Sequence, residues 1–165
     1  VCHKGTRAMN ITLTPIGYVR TTRADPTDDN WDAETTRIEP DTTRFTADAL
    51  LSLDSFSHVE VLYWFHHEEA ATPVLGARHP RGNKAWPLAG IFAQRGKNRP
   101  NRLGLTTCRI VAVNGLELTV EGLDAIDGTP VIDIKPVMRE FLPRGEVRQP
   151  AWVGELMAEY WDKGE

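Results

Sequence analysis

The sequence predicts a mainly β fold, a small antiparallel β-barrel with a few short helices at its periphery. Strand-like segments follow one another along the chain, helical periodicity is confined to short stretches, and no strand–helix–strand alternation indicates a parallel sheet. The length of 165 residues suits one folded unit with its own core. We therefore expect a single domain over residues 11–165, preceded by a disordered tail or cloning remnant over residues 1–10.

Two regions carry the strongest strand patterns. In Val59–His66 apolar side chains alternate onto both faces, which predicts a central strand. Leu103–Val113 and Leu116–Gly122 flank the dipeptide Asn114-Gly115, which favours a tight two-residue turn between antiparallel strands. The first segment therefore predicts a central strand, and the other two predict a β-hairpin.

The other predicted elements are shorter. Further strands are predicted at Ile11–Arg20, where Pro15 favours an edge position, and at Ala89–Ala93 and Thr129–Ile134. Short helices are predicted at Thr46–Leu53, with Thr46 as N-cap, and at Pro150–Trp161. Polar segments predict loops at Thr21–Pro40, Thr72–Leu88 and Gln94–Arg102.

Composition narrows the class of protein. A hydrophobic fraction of 41% and a charged fraction of 25% are ordinary for a globular protein, and no apolar run approaches the ~20 residues of a membrane span. The two cysteines, Cys2 and Cys108, imply no disulfide framework, which favours a reducing, cytoplasmic setting. We expect neither a membrane partner nor a signal peptide.

The charge distribution is uneven. A net charge of −4 argues against a protein that binds nucleic acid by bulk charge. From Arg78 to Arg109, however, the chain contains many basic residues and no Asp or Glu. Such a stretch is either a solvated basic surface or a contact for a polyanion such as RNA.

The first chemical cluster is the loop within Gly90–Thr106. It gathers arginine, lysine and asparagine side chains around Gly96 and Pro100, and these types recognise phosphates, carboxylates and base edges. An exposed loop that only promotes solubility is the alternative.

The second cluster is Gly122–Pro136. It contains Asp124, Asp127 and Asp133, with Lys135 two positions after Asp133, so that in a strand the last two side chains share a face. A turn and a structural ion pair explain the same residues. The Asp…Asp-x-Lys spacing is also that of a metal-dependent nuclease, although it is short enough to occur by chance.

Other sites find little support. Four histidines could suggest a metal site: His58, His66, His67 and His79. Their spacing matches no established set of metal ligands, so we expect no metal. The sequence has no G-x-G-x-x-G after a strand, no Walker loop and no G-x-S-x-G. A nucleotide-like cofactor would therefore be bound outside the Rossmann pattern.

The two clusters read GIFAQRGKNRPNRLGLT and LDAIDGTPVIDIKP, and PIGYVR and VEVLYWFHH precede them. In this order they resemble the TsaA/TrmO family, over about residues 15–140. The resemblance implies a β-barrel that forms a homodimer, S-adenosylmethionine as cofactor near the subunit interface, and tRNA as substrate. The implied reaction is methylation of N6 of threonylcarbamoyl-adenosine in the anticodon loop.

Carried over by position, the resemblance also assigns residues. The cofactor would contact His66, His67, Arg95, Leu105, Leu123, Asp124, Ala125, Ile126 and Asp127. The reaction centre would be lined by Asp133, Lys135, Arg99 and Asn101. Asp133 is the natural candidate to orient or accept the N6 proton, and Arg99 or Arg102 would suit the carboxylate of the substrate.

Departures from the family pattern leave the substrate open. Gly96-Lys97-Asn98 stands where a Ser-Pro-Phe-like stretch is usual, Arg102 replaces a proline and Val137 a frequent tyrosine. The alternatives are a methyltransferase of the same fold for another RNA or small molecule, a regulatory protein that binds the cofactor without turnover, and, last, the nuclease.

Overall fold

The computed structural model describes residues 9–162. The tail predicted over residues 1–10 therefore lies largely outside the described residues; Met9 and Asn10 precede the first strand and are exposed.

The strands are β1 Gly17–Arg20, β2 Thr35–Pro40, β3 His58–Trp64, β4 Ala77–Arg78, β5 Ala89–Gly90, β6 Leu103–Asn114, β7 Glu117–Glu121 and β8 Pro130–Pro136. An α-helix, α1, spans Ala151–Leu156. Short 3₁₀ turns lie at Trp31–Ala33, Ala47–Leu50, Leu53–Ser55, His66–Glu68, Pro80–Gly82, Ile91–Ala93 and Arg139–Phe141.

The six longer strands form a closed antiparallel barrel in the order β1–β2–β7–β6–β3–β8, and β8 pairs with β1 to close it. The mainly β barrel predicted from the sequence is confirmed. β4 and β5 form a separate two-stranded sheet. Closure leaves the six barrel strands without a free edge.

The barrel interior is filled by alternate side chains of its strands. Val59, Val61 and Tyr63 of β3 point inward and are buried, whereas the intervening residues face outward. Ile38 and Leu118 meet them from β2 and β7. Each such apolar side chain contributes about 1.5–3 kcal/mol when it is fully buried.

β2 lies inside the segment Thr21–Pro40, for which the prediction of a loop was wrong in part. Its inward face consists of Thr36, Ile38 and Pro40, all buried. Only Ile38 is a large aliphatic residue, so the strand shows no apolar alternation. Pairing with β1 on one side and β7 on the other holds it in the barrel.

The β6–β7 hairpin is confirmed, but its turn lies one residue later than predicted. Asn114 pairs with Glu117, which leaves Gly115 and Leu116 as the turn. Gly115 has φ +59° and Leu116 is not among the positive-φ residues. Positive φ at the first turn position only, occupied by glycine, is the pattern of a type II′ turn.

Several elements are shorter than predicted. β1 occupies only the last part of Ile11–Arg20, because Pro15 cannot donate to the ladder. Ala89–Ala93 divides into β5 and a 3₁₀ turn. The predicted helix Thr46–Leu53 is two 3₁₀ turns interrupted by Ser52, whose φ is +66°. The helix predicted at Pro150–Trp161 is helical over α1 and continues as turns.

A bulge in β8 decides which way its polar residues face. Tyr63 pairs with Val131, but its neighbour Leu62 pairs with Asp133, so Ile132 is an extra residue on β8. Without it, Asp133 would share the inward face of Val131 because strand side chains alternate. The bulge turns Asp133 to the outside of the barrel.

The longest connection in the barrel runs between β3 and β6. It contains β4, β5 and the acid-free basic stretch as far as Arg102, and it leaves and re-enters the barrel at the same end. None of the helices found between residues 9 and 162 has both the length and the apolar character needed to cross a bilayer.

Candidate functional site

The predicted cofactor segments meet at one end of the barrel. β3 ends at Trp64, and its antiparallel neighbours β6 and β8 begin beside it at Leu103 and Pro130. The histidines after β3 and the loops that precede β6 and β8 therefore lie at the same end.

Asp133 and Lys135 form an ion pair on the outer face of the barrel. The distance from Lys135 Nζ to Asp133 Oδ2 is 2.8 Å, as expected for residues two apart in a strand. They line a shallow groove of about 200 Å³ together with Glu60, Leu62 and Leu105. The groove spans three adjacent strands, because Leu62 pairs with Leu105 of β6 and with Asp133 of β8.

The groove is negatively charged despite its lysine. Glu60 pairs in register with Lys135, so two acids and one base share the surface. The hydrogen bond and charge of Asp133 raise the pKa of Lys135, and Glu60 adds to the shift. Lys135 is thus held in its protonated form, and it fixes one Asp133 oxygen while the other accepts the backbone N–H of Ile134 at 3.0 Å.

Asp124 is directed into the protein rather than outward. Its Oδ1 accepts hydrogen bonds from the Tyr63 hydroxyl at 2.8 Å and from the Thr106 hydroxyl. Its Oδ2 accepts the hydroxyl of Tyr160, from the C-terminal segment, at 2.5 Å. The carboxylate is therefore the centre of a hydroxyl network that joins β3, β6 and the chain terminus.

This network changes the acidity of its members. Burial, followed by the charge of Asp124, raises the pKa of Tyr63 and of Tyr160 well above the ordinary value. The same two causes raise the pKa of the Cys108 thiol. Both phenols remain neutral donors at neutral pH, and Cys108 is not a thiolate nucleophile.

The other residues of the segment before β8 differ in exposure. Leu123, Ala125 and Ile126 have buried side chains, with 2%, 5% and 6% exposure. A ligand can reach them only through the backbone. Asp127 is exposed, and its Oδ1 accepts the backbone N–H of Thr21 at 3.2 Å.

His66 and His67 lie in the 3₁₀ turn that follows β3, with ring centroids 4.3 Å apart. His66 Nε2 is 4.0 Å from the position that a Cβ on Gly128 would take. Burial lowers the pKa of His66, His67 lowers it further, and Asp127 opposes the shift. His66 is therefore a neutral imidazole at neutral pH, beside an aspartate.

The basic loop reaches the groove through Arg95, whose guanidinium donates to the backbone carbonyl of Leu105. Arg99 donates to the Gln94 carbonyl at 3.0 Å, which keeps it within its own loop. Asn101 is exposed at the loop tip, and neither Arg99 nor Asn101 is brought into contact with Asp133 among the described residues.

Arg102 supports the loop, in contrast to the expectation that it meets an anionic substrate. Its guanidinium donates to the carbonyls of Glu68, Glu69 and Ala71 at 2.8, 3.2 and 2.8 Å. Its own carbonyl accepts the N–H of Phe65 at 2.9 Å. Arg102 thus joins the two ends of the connection between β3 and β6.

The sequence did not indicate Glu60, Tyr63, Thr106 or Tyr160 as members of the site. Alternation along β3 places Glu60 outside and Tyr63 inside, and an acid at an outward strand position was the available signal. Within residues 9–162, no group of three or more His, Cys, Asp or Glu residues lies close enough to hold a metal ion.

Comparisons with known proteins agree with this architecture. A family model for the N-terminal domain of tRNA-methyltransferase O matches residues 20–141. The tRNA (adenine(37)-N6)-methyltransferase of Homo sapiens is 31% identical over 148 residues, which cover 86% of this chain and 33% of that protein. A "Probable S-adenosyl-L-methionine-binding protein" of Methanothermobacter thermautotrophicus is 37% identical over 134 residues, 78% of this chain and 90% of that protein.

A solved structure has the same fold. The crystal structure of TrmO from Pseudomonas aeruginosa superposes with a TM-score of 0.70 at 27% identity, covering 88% of this chain and 63% of that one. Compared with the human relative, this chain spans only about a third of that protein's length. The family match covers most of the barrel, and the chain belongs to the family of tRNA-methyltransferase O N-terminal domains.

Proposed function

We propose that the protein is an S-adenosylmethionine-dependent methyltransferase that modifies N6 of an adenosine in the tRNA anticodon loop, with threonylcarbamoyl-adenosine as the substrate nucleoside. The observation that carries the proposal is the groove of Asp133 and Lys135, which adjoins Arg95 through Leu105. Family membership supports it, because the human relative is a tRNA (adenine(37)-N6)-methyltransferase.

The residues fit the proposed cofactor. Its sulfonium is a cation, and Asp133 and Glu60 supply the negative charge that complements it. Leu62 and the 43%-exposed Leu105 give the groove an apolar floor for a nucleoside. The cofactor's carboxylate suits the planar donors of Arg95.

When bound, S-adenosylmethionine supplies an electrophilic methyl group. Methylation of N6 replaces a proton there, and that proton needs an acceptor. Asp133 is suited to orient and accept it, and Lys135 holds the carboxylate in one orientation at 2.8 Å. The carbonyl next to N6 in the substrate already acidifies the N–H, so alignment is the main task of these residues.

The proposal extends to the setting of the reaction. Cations of the acid-free stretch from Arg78 to Arg109 that the protein does not itself pair supply contacts for the tRNA, and an anticodon-loop base is unpaired and accessible. A homodimer suits the groove, because a partner subunit can close its open face over a nucleoside bound on Leu62 and Leu105. A tRNA substrate and free buried Cys108 are consistent with the cytoplasm.

A second candidate is a protein that binds S-adenosylmethionine without turnover. The Methanothermobacter relative favours it, because that protein matches this chain over 90% of its own length and its description specifies binding alone. The two candidates share the cofactor site and differ in whether Asp133 takes part in chemistry.

Titration calorimetry followed by a transfer assay separates them. We expect saturable binding of S-adenosylmethionine in EDTA, weakened in Asp127→Ala and unchanged in Asp25→Ala, an exposed loop acid. Labelled methyl should then reach tRNA that carries the threonylcarbamoyl group. Binding without transfer supports the second candidate, and no heat at about 1 mM ligand, where ~4 kcal/mol binding is detectable, contradicts both.

A further inference from the structure

Most cations of the acid-free stretch are held by the protein itself. Arg81 and Lys97 form ion pairs of 2.8 and 2.9 Å with carboxylates outside the stretch. Arg95, Arg99 and Arg102 donate to backbone carbonyls. These side chains shape the loop, and their capacity to bind an external anion is reduced accordingly.

Arg78 differs from them. It is partly buried, and its Nε is shielded from solvent and has no hydrogen-bond partner among the described residues. Across residues 9–162, its Nη atoms likewise form neither a hydrogen bond nor an ion pair with a protein group. The protein therefore does not neutralise this guanidinium, and its Nη donors remain available to an external anion.

The position of Arg78 is fixed by its surroundings. Its backbone belongs to β4, and Gln94 Nε2 donates to its carbonyl at 3.0 Å. One Nη lies 3.3 Å from where a Cβ on Gly96 would sit, so the glycine leaves room for the guanidinium.

We propose that Arg78 binds a backbone phosphate of the tRNA. This inference rests on the proposed function and adds a phosphate contact beside the reaction centre. Arg78 adjoins Gly96, whose neighbour Arg95 reaches Leu105 in the groove. A planar guanidinium suits a phosphate oxygen pair, and no carboxylate within residues 9–162 forms an ion pair with Arg78.

A salt series of tRNA binding tests the proposal. We compare the wild type with Arg78→Ala, Arg78→Lys and Arg37→Ala. Arg37 faces outward on β2, across the barrel from β3. Its replacement by alanine removes the same charge as Arg78→Ala does. Arg78→Ala should weaken binding about tenfold and lower the slope of log affinity against log salt by about 0.7–0.9. Arg78→Lys should keep the slope and lose part of the affinity, and Arg37→Ala should change neither.

Two further measurements identify the ligand and guard against misfolding. Gly96→Ala, which crowds the guanidinium without removing charge, should weaken tRNA binding by less than Arg78→Ala does. S-adenosylmethionine affinity should stay within about twofold in every variant. A loss of cofactor affinity in Arg78→Ala with an unchanged salt slope would mean that Arg78 holds the cofactor carboxylate, which overturns the proposal.

The result also separates this inference from the proposed function. If the wild type binds no tRNA, the tRNA substrate and the phosphate contact are both wrong. If the wild type binds and methylates tRNA while Arg78→Ala keeps the wild-type affinity and slope, only the phosphate contact is wrong.

Discussion

The hydroxyl of Tyr160 donates a hydrogen bond to Asp124 Oδ2 at 2.5 Å and so ties the end of the chain to the barrel interior. The Tyr160 carbonyl accepts the N–H of Trp31 at 2.9 Å, and Glu155 accepts the indole N–H of Trp86 at 2.7 Å. The C-terminal segment therefore contacts three distant parts of the sequence. These contacts place it at the end of the barrel where the predicted cofactor segments meet.

Replacing Tyr160 with phenylalanine should lower the free energy of unfolding. The change removes one hydrogen bond to a carboxylate in a buried network, and such bonds contribute about 1.5–3 kcal/mol. Urea unfolding measures the loss. Tyr18→Phe is the matched control, because Tyr18 is 43% exposed and should give no change. Equal stability of the two variants would show that the network does not hold the terminus.

Alkaline pH should destabilise the protein through the same network. Tyr63 and Tyr160 have pKa values above their ordinary value of 10.0, because of burial and then the charge of Asp124. The contribution of these phenols to the free energy of unfolding is complete below about pH 10. It is lost as the pH rises further, at up to about 1.4 kcal/mol per pH unit for each phenol, because the unfolded state loses its phenol protons first. Urea unfolding at a series of pH values should show a shallower decline for Tyr160→Phe than for the wild type.

Replacing Asp133 with asparagine should affect catalysis more than stability. Asp133 and Lys135 have side chains that are 45% and 69% exposed, and exposed ion pairs stabilise proteins little. Loss of the proton acceptor should lower kcat by about 10²-fold or more, and this loss should exceed the loss of cofactor affinity that removing one of the two groove acids causes.

An ion pair elsewhere on the barrel provides the control for Asp133. Arg109 and Glu121 pair between β6 and β7 with similar exposure, 56% and 40%. Glu121→Gln should leave kcat within about twofold of the wild type. A similar loss in both variants would indicate a general effect of surface charge.

Replacing Arg102 with alanine should loosen the connection between β3 and β6. Its guanidinium holds the carbonyls of Glu68, Glu69 and Ala71, and of these only the Glu68 carbonyl accepts a second bond, from the Ala71 N–H at 3.0 Å. We expect faster hydrogen exchange and proteolysis near residues 65–72. Lys84→Ala, in the same stretch, should leave both rates unchanged. If Arg102→Ala weakens tRNA binding without raising either rate, Arg102 contacts the substrate, as the sequence predicted.

Replacing Gly104 with alanine should disrupt the barrel core. A Cβ there would lie 2.4 Å from the ring of Tyr63, which is itself buried and bonded to Asp124. Overpacking of this kind costs roughly 1–3 kcal/mol or more. Gly90→Ala, where nothing lies within 4 Å, should be tolerated, and thermal unfolding compares the two.

Strands were predicted correctly where their own residues alternate between apolar and polar side chains. β3 and the β6–β7 hairpin show apolar alternation and were placed correctly. β2 was not, because its inward residues Thr36 and Pro40 lack an apolar signature and the barrel's closure supplies the pairing. The hairpin turn lies one residue later than predicted, because Asn114 pairs with Glu117 and Gly115 takes the turn position that requires positive φ.

The site was predictable only in its local relationships. The spacing of Asp133 and Lys135 predicted a shared face, and the ion pair confirms it. The face itself depends on the bulge at Ile132, which exists only through pairing with β3. The contact between Asp124 and Tyr160 joins residues far apart in sequence, and no local pattern indicates it.

The most direct test of the proposed activity is mass spectrometry of nucleosides from tRNA incubated with the protein and isotopically labelled S-adenosylmethionine. The tRNA should be supplied with and without the threonylcarbamoyl group. We predict one labelled methyl on N6 of threonylcarbamoyl-adenosine with the wild type and very little with Asp133→Asn. Unlabelled nucleosides from both tRNAs, with a wild type shown to bind the cofactor, would contradict the methyltransferase assignment.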